Sequence, residues 1–185
     1  MISTYNNEVR NYYDGSLLDT FLAKTNTNFN DALAQKQFYA TRWDELVMSQ
    51  KKKGYARDVS NASHRQTNTL IIGFNGIKEG IILNISFLPQ YIGLYFYHET
   101  IQTDTPIRDS FGKFNYHLSF YPFSLKQEDL AKELINIVNF YFLDFVLFNN
   151  LYASNEVNNV IINDSIEQKS TIFQVIFENN MNIVF

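Results

Sequence analysis

The residues predict an α+β fold, an antiparallel β-meander of about four strands over residues 69–121 with two or three helices on its apolar face. Three observations carry this. Between Thr69 and Tyr121, runs rich in β-branched and aromatic side chains alternate with turn signals at Asn75-Gly76, Leu88-Pro89-Gln90 and Thr103–Gly112. After them, Ser124 followed by Gln127 matches a capping box and opens a run with helical spacing to Asn150. Before them, Leu33, Ala40, Trp43 and Val47, with Phe38 and Leu46 beside them, recur at helical intervals between about Asn30 and Lys52. Connections this short favour antiparallel pairing over crossovers.

Taken in order, residues 1–28 read as a short helical hairpin or arm: Asp14-Gly15-Ser16 turns, and Ser16 caps Leu17–Lys24. In the helix of residues 30–52, Trp43 belongs to the core-facing stripe. Lys51 to Thr67 reads as a basic loop, in which Lys51, Lys52, Lys53, Arg57 and Arg65 oppose Asp58 alone. A solvated loop after a helix end that favours lysine is the simplest reading. The functional alternative is an accessory nucleic-acid-binding patch of Lys51, Lys52, Lys53, Arg57, His64 and Arg65, gripping phosphates without reading sequence.

Side-chain alternation splits the four strands, Thr69–Asn75, Gly80–Phe87, Tyr91–Glu99 and Lys113–Tyr121, into two faces. Leu70, Ile72, Phe74, Ile81, Leu83, Ile85, Phe87, Ile92, Leu94, Phe96, Phe114, Tyr116, Leu118 and Phe120 make the core face. Tyr91, Tyr95, Tyr97 and His117, with amides and hydroxyls, make the other. A face of tyrosines suits protein docking, because each offers rigid apolar area with a polar end.

In the helix of residues 124–150, the stripe of Asp129, Lys132, Glu133, Asn136 and Asn139 is polar, and Phe140, Leu143 and Leu147 replace it further along. Either residues 157–185 fold over those three or a partner chain does. The run is too short for a bilayer and contains Asp144, so no membrane span is expected. Val160–Ile162 and Thr171–Phe177 read as two further strands that extend the sheet or roof that stripe, and Met181–Phe185 ends the chain apolar. With no internal repeat or linker, residues 1–185 read as one domain.

Composition bounds the function. The chain has no cysteine, which excludes disulfides, thiolate chemistry and cysteine-ligated zinc, and its formal net charge is −4. Overall acidity disfavours a nucleic-acid binder acting through its whole surface. The first residues carry neither a basic flank nor an apolar run, as expected of a cytoplasmic chain. Asn, Ile, Phe, Tyr and Lys make up 79 of 185 residues, which points to an AT-rich bacterial or phage genome.

No phosphate loop, nucleophile elbow, HExxH helix or paired-carboxylate motif occurs. By the face assignment His98 and His117 lie on opposite faces, which predicts no metal site, and no cofactor is implied. A small metal-independent ribonuclease using His117 with Arg108 and Glu99 or Asp109 is the weakest reading. The leading expectation is a non-enzymatic protein-interaction module, a subunit or inhibitor/immunity-type partner in a bacterial or phage complex. Its contact residues would be Tyr91, Tyr95, Tyr97, His117, Phe140, Leu143 and Leu147, with hetero- or homo-oligomers both allowed.

Overall fold

The computed structural model describes residues 29–60, 67–74, 78–87, 90–99, 116–154, 156–157 and 170–177. The chain enters through α1 (Phe29–Phe38) and α2 (Ala40–Lys53). These replace the single helix expected from 30 to 52. The break falls at Tyr39, which leaves helical geometry at φ −92° and ψ 2°. Its ring is buried against Phe87, Phe142 and Phe145, so the aromatic core re-aims the chain at that residue. The arm and hairpin expected over residues 1–28 lie outside the described residues.

The sheet runs β1 (Tyr55–Asp58), β2 (Thr67–Phe74), β3 (Glu79–Phe87), β4 (Gln90–Glu99) and β5 (Tyr116–Ser119), each antiparallel to the next. The meander is therefore as expected, with one strand more at its leading edge. β1 occupies part of the predicted basic loop and reads as polar because it is a short edge strand, where charged residues are tolerated and discourage further pairing. Trp43 Nε1 donates to Asp58 Oδ2 at 2.8 Å and ties that edge to α2.

Helix α3 (Leu125–Tyr141) begins as the capping pattern requires: the Ser124 hydroxyl accepts from Gln127 N at 3.2 Å. The Gln127 carboxamide does more than close the box. Its Oε1 accepts from Phe123 N at 2.6 Å, and its Nε2 donates to the carbonyls of Tyr97 (2.9 Å) and Gly80 (3.2 Å). One buried side chain thus fastens the start of α3 to a β3–β4 pair.

Both sheet faces are covered. On the first, Leu70, Ile72, Ile81, Leu83, Ile85, Phe87, Ile92, Leu94 and Phe96 meet Trp43, Leu46 and Val47 of α2 and Ala131, Leu134 and Val138 of α3. These sheet residues are nine of the fourteen expected on the core face; Phe74 is half-buried, Phe114 lies outside the described residues, and Tyr116, Leu118 and Phe120 go elsewhere. On the second, Ile71, Ile82, Tyr91, Tyr95 and Tyr97 meet Phe148 and the helix α4 (Ile172–Phe177).

Three expectations fail from β5 onward. First, α3 stops at Tyr141 instead of continuing to Asn150. Phe142 and Phe145 turn into the first core, the two-residue strand β6 (Val146–Leu147) runs parallel to β4, and Phe148 enters the second core. A helix cannot deliver those rings to opposite sides of a sheet; an extended segment along its edge can. Second, residues 171–177 are not a strand. Only Ser170–Thr171 (β8) is extended, paired with β7 (Glu156–Val157), and α4 follows at once. Ile172, Phe173, Ile176 and Phe177 are all buried, a spacing that shares one helix face but would straddle a strand. Third, Tyr116, Leu118 and Phe120 face the second core, because β5 pairs with β4 one residue out of the assumed phase. The expected strand at 160–162 lies outside the described residues, as do residues 181–185.

Between β5 and β6, which share one side of β4, the Asn150 carboxamide donates to the carbonyls of Leu94 (3.0 Å) and Phe120 (2.8 Å). It closes the gap in the ladder that neither short strand reaches.

Candidate functional site

With both sheet faces covered, exposed apolar side chains remain at several places, among them Tyr121, Phe123 and Leu125 before and at the start of α3, Met48 on α2 and Leu151, and one set lies around the end of α3. Phe38 at the end of α1 is 69% exposed, Phe140 in the last turn of α3 is 75% exposed, and Leu143 beyond it is 78% exposed. Val146 and Leu147 of β6 are each 39% exposed. Arg42 links the two sides: its guanidinium lies 5.8 Å from the Phe38 ring and donates to the Tyr141 carbonyl at 3.4 Å. Tyr39 below it contacts Phe142 and Phe145, and Phe140 contacts Tyr141. The result is an apolar rim edged by Arg42 and the exposed Asp144.

The expected contact residues thus part company. Phe140, Leu143 and Leu147 lie at the surface, although on a helix end, a turn and a strand instead of one helical stripe. Tyr91, Tyr95 and Tyr97 are buried under the chain's own second layer. Tyr91 meets Phe148, Tyr95 meets Phe173, and Tyr97 meets Tyr116. Alternation cannot reveal this cover, because the covering helix comes from a segment that reads as a strand.

Tyr97 carries a cost. Its hydroxyl is buried with no hydrogen-bond partner, and burial, then the neighbouring Tyr116, Tyr55 and Glu79, hold its pKa well above the ordinary 10.0. Tyr97→Phe removes an unsatisfied group and is expected to raise stability by about 1 kcal/mol in denaturant unfolding. The sign of the pH effect follows. Above pH 10.0 the unfolded chain releases this proton while the folded chain keeps it, so stability is lost as pH rises past that value. The variant's advantage should therefore widen at alkaline pH.

His117 does not share the tyrosine face. It pairs directly with His98 across β4 and β5, and directly paired residues point to the same side. The expectation that the two imidazoles lie on opposite faces is therefore overturned, by the same phase error that misplaced Leu118. Glu79 pairs with His98 from the other side, and its Oε2 lies 3.9 Å from His98 Nδ1. Phe123 contacts both imidazoles, with ring centroids 5.9 Å and 5.5 Å away. Among the described residues, no group of three His, Cys, Asp or Glu is set to hold a metal ion.

The basic stretch is not one loop. Lys51, Lys52 and Lys53 form the last turn of α2, where cations favour the helix dipole, and Lys53 pairs with Glu133 of α3. Arg57 lies exposed on β1. His64 and Arg65 lie outside the described residues, as do Arg108 and Asp109. Glu99 pairs with Tyr116 and lies near Lys78 (3.8 Å), on the face opposite His117, so that part of the ribonuclease arrangement does not assemble.

Among the described residues no helix is long and apolar enough to cross a membrane. No family model, curated protein or solved structure matches the chain.

Proposed function

We propose that this protein is a non-enzymatic interaction module, a subunit or inhibitor/immunity-type partner in a bacterial or phage complex, working in the cytoplasm and docking through the rim of Phe38, Phe140, Leu143 and Leu147. The observation that carries the reading is that these large side chains stay exposed after both sheet faces have been covered by the chain itself. Exposed apolar side chains beside charged ones supply the anchors of many docking sites, where aromatic residues and arginine carry most of the binding energy.

The test is affinity capture from an extract of the native host, comparing the wild type with a Phe140→Ser, Leu143→Ser variant. A defined partner, recovered by the wild type and lost by the variant, is expected. Because both side chains are exposed, the variant should unfold within about 0.5 kcal/mol of the wild type. Partner recovery indifferent to the two substitutions removes the rim from the reading.

A further inference from the structure

The register places four side chains in one row on the first sheet face: Phe74, Glu79, His98 and His117, on β2, β3, β4 and β5 in turn. The two histidines sit at the exposed end of the row, and the His98 side chain is half exposed while that of Glu79 is 14% exposed. Directly opposed residues on antiparallel strands hold their Cβ atoms about 5 Å apart, which lets two imidazoles turn their nitrogens toward one point by side-chain rotation alone. The carboxylate within reach of His98 Nδ1 leaves Nε2 of that ring as the free donor. At 3.9 Å the pair is an ionic contact and not a hydrogen bond, and a small side-chain rotation would bring the carboxylate to the position from which it orients a metal-binding imidazole.

We propose that His98 and His117 form a two-imidazole site for a divalent transition-metal ion of the class of Ni²⁺, Cu²⁺ and Zn²⁺, with Glu79 orienting His98 and water completing the coordination. Neutral imidazole nitrogens suit these ions, whereas Mg²⁺ and Ca²⁺ take oxygen donors. Phe123 contacts both rings, so all three side chains share one patch. The strands fix the spacing, so the backbone need not move when an ion arrives. Two protein donors leave room for a further ligand from another molecule. The site does not depend on the apolar rim.

Titration calorimetry of Ni²⁺ into the full chain tests this. One ion per chain is expected, with His98→Ala and His117→Ala each lowering affinity at least about tenfold. Glu79→Gln, a change at a positioning residue, should weaken Ni²⁺ about tenfold while the metal-free melting temperature stays fixed. Paramagnetic broadening should fall on the imidazole signals of His98 and His117. Mg²⁺ should give no competing heat. If an alanine variant does not fold, His98→Asn and His117→Asn serve in its place. Ni²⁺ binding that survives loss of both histidines, or its absence from the wild type, overturns the proposal.

Discussion

Gln127→Ala should lower the unfolding free energy by about 3–5 kcal/mol, measured by urea or thermal unfolding. The carboxamide is buried and serves three backbone groups at once, the Phe123 amide and the Gly80 and Tyr97 carbonyls. Truncation leaves the part-buried Phe123 N–H unpaired, takes a partner from each carbonyl and opens a cavity. An unsatisfied buried group costs about 1–3 kcal/mol, so the loss exceeds that of an ordinary helix cap. Gln127→Leu separates the causes, since it restores volume without hydrogen bonds. It should remain nearly as destabilised as the alanine variant; recovery to wild-type stability would show that packing dominates at this position.

The second large effect is expected at Gly93, on the β4 face that receives α4. A Cβ built there would lie 2.6 Å from two ring atoms of Phe177 and 3.0 Å from Phe173. Both rings are buried and locked together, with centroids 4.6 Å apart, and Phe148 stands beside each. Gly93→Ala should therefore overpack the second core and cost about 2–3 kcal/mol. The loss should concentrate in α4. Hydrogen exchange should accelerate over residues 172–177 while β2 and β3 stay protected. Replacing Phe177 by Leu in the Gly93→Ala background should recover part of the loss by returning volume. Unchanged protection of residues 172–177 would show that α4 does not rest on this glycine.

The missing side chain at Gly93 has a structural meaning that its sequence context hides. In isolation, a glycine between Ile92 and Leu94 only weakens a strand. Beneath two phenylalanines, it marks where a helix comes closest to the sheet. The tyrosines on either side of it follow the same logic. Their alternation was readable, but whether Tyr91, Tyr95 and Tyr97 faced water depended on residues 172–177, and those look like a strand because Ile, Val and Phe are favoured there. The spacing of Ile172, Phe173, Ile176 and Phe177 was the discriminating signal, and the segment's shortness masked it.

The histidines show how small the missing information was. Alternation along β4 gives His98 its proper face, whereas β5 follows a long connection that sets no register, so alternation alone cannot give the face of His117. A shift of one residue moves every side chain across the sheet, so the two imidazoles changed from separated to adjacent. The capping pattern at Ser124 behaved differently. It depends on residues three apart, and the structure retains it.

Local chemistry alone therefore determined the class of fold, the antiparallel meander, the first core set of β2 to β4 and the start of α3, because alternation, turn residues and caps act within a few positions of one another. Tertiary contacts decided where α3 stops, which segment covers the tyrosine face and which histidines meet. Each of those depends on how distant segments share the two sides of one sheet, and spacing along the chain does not encode that.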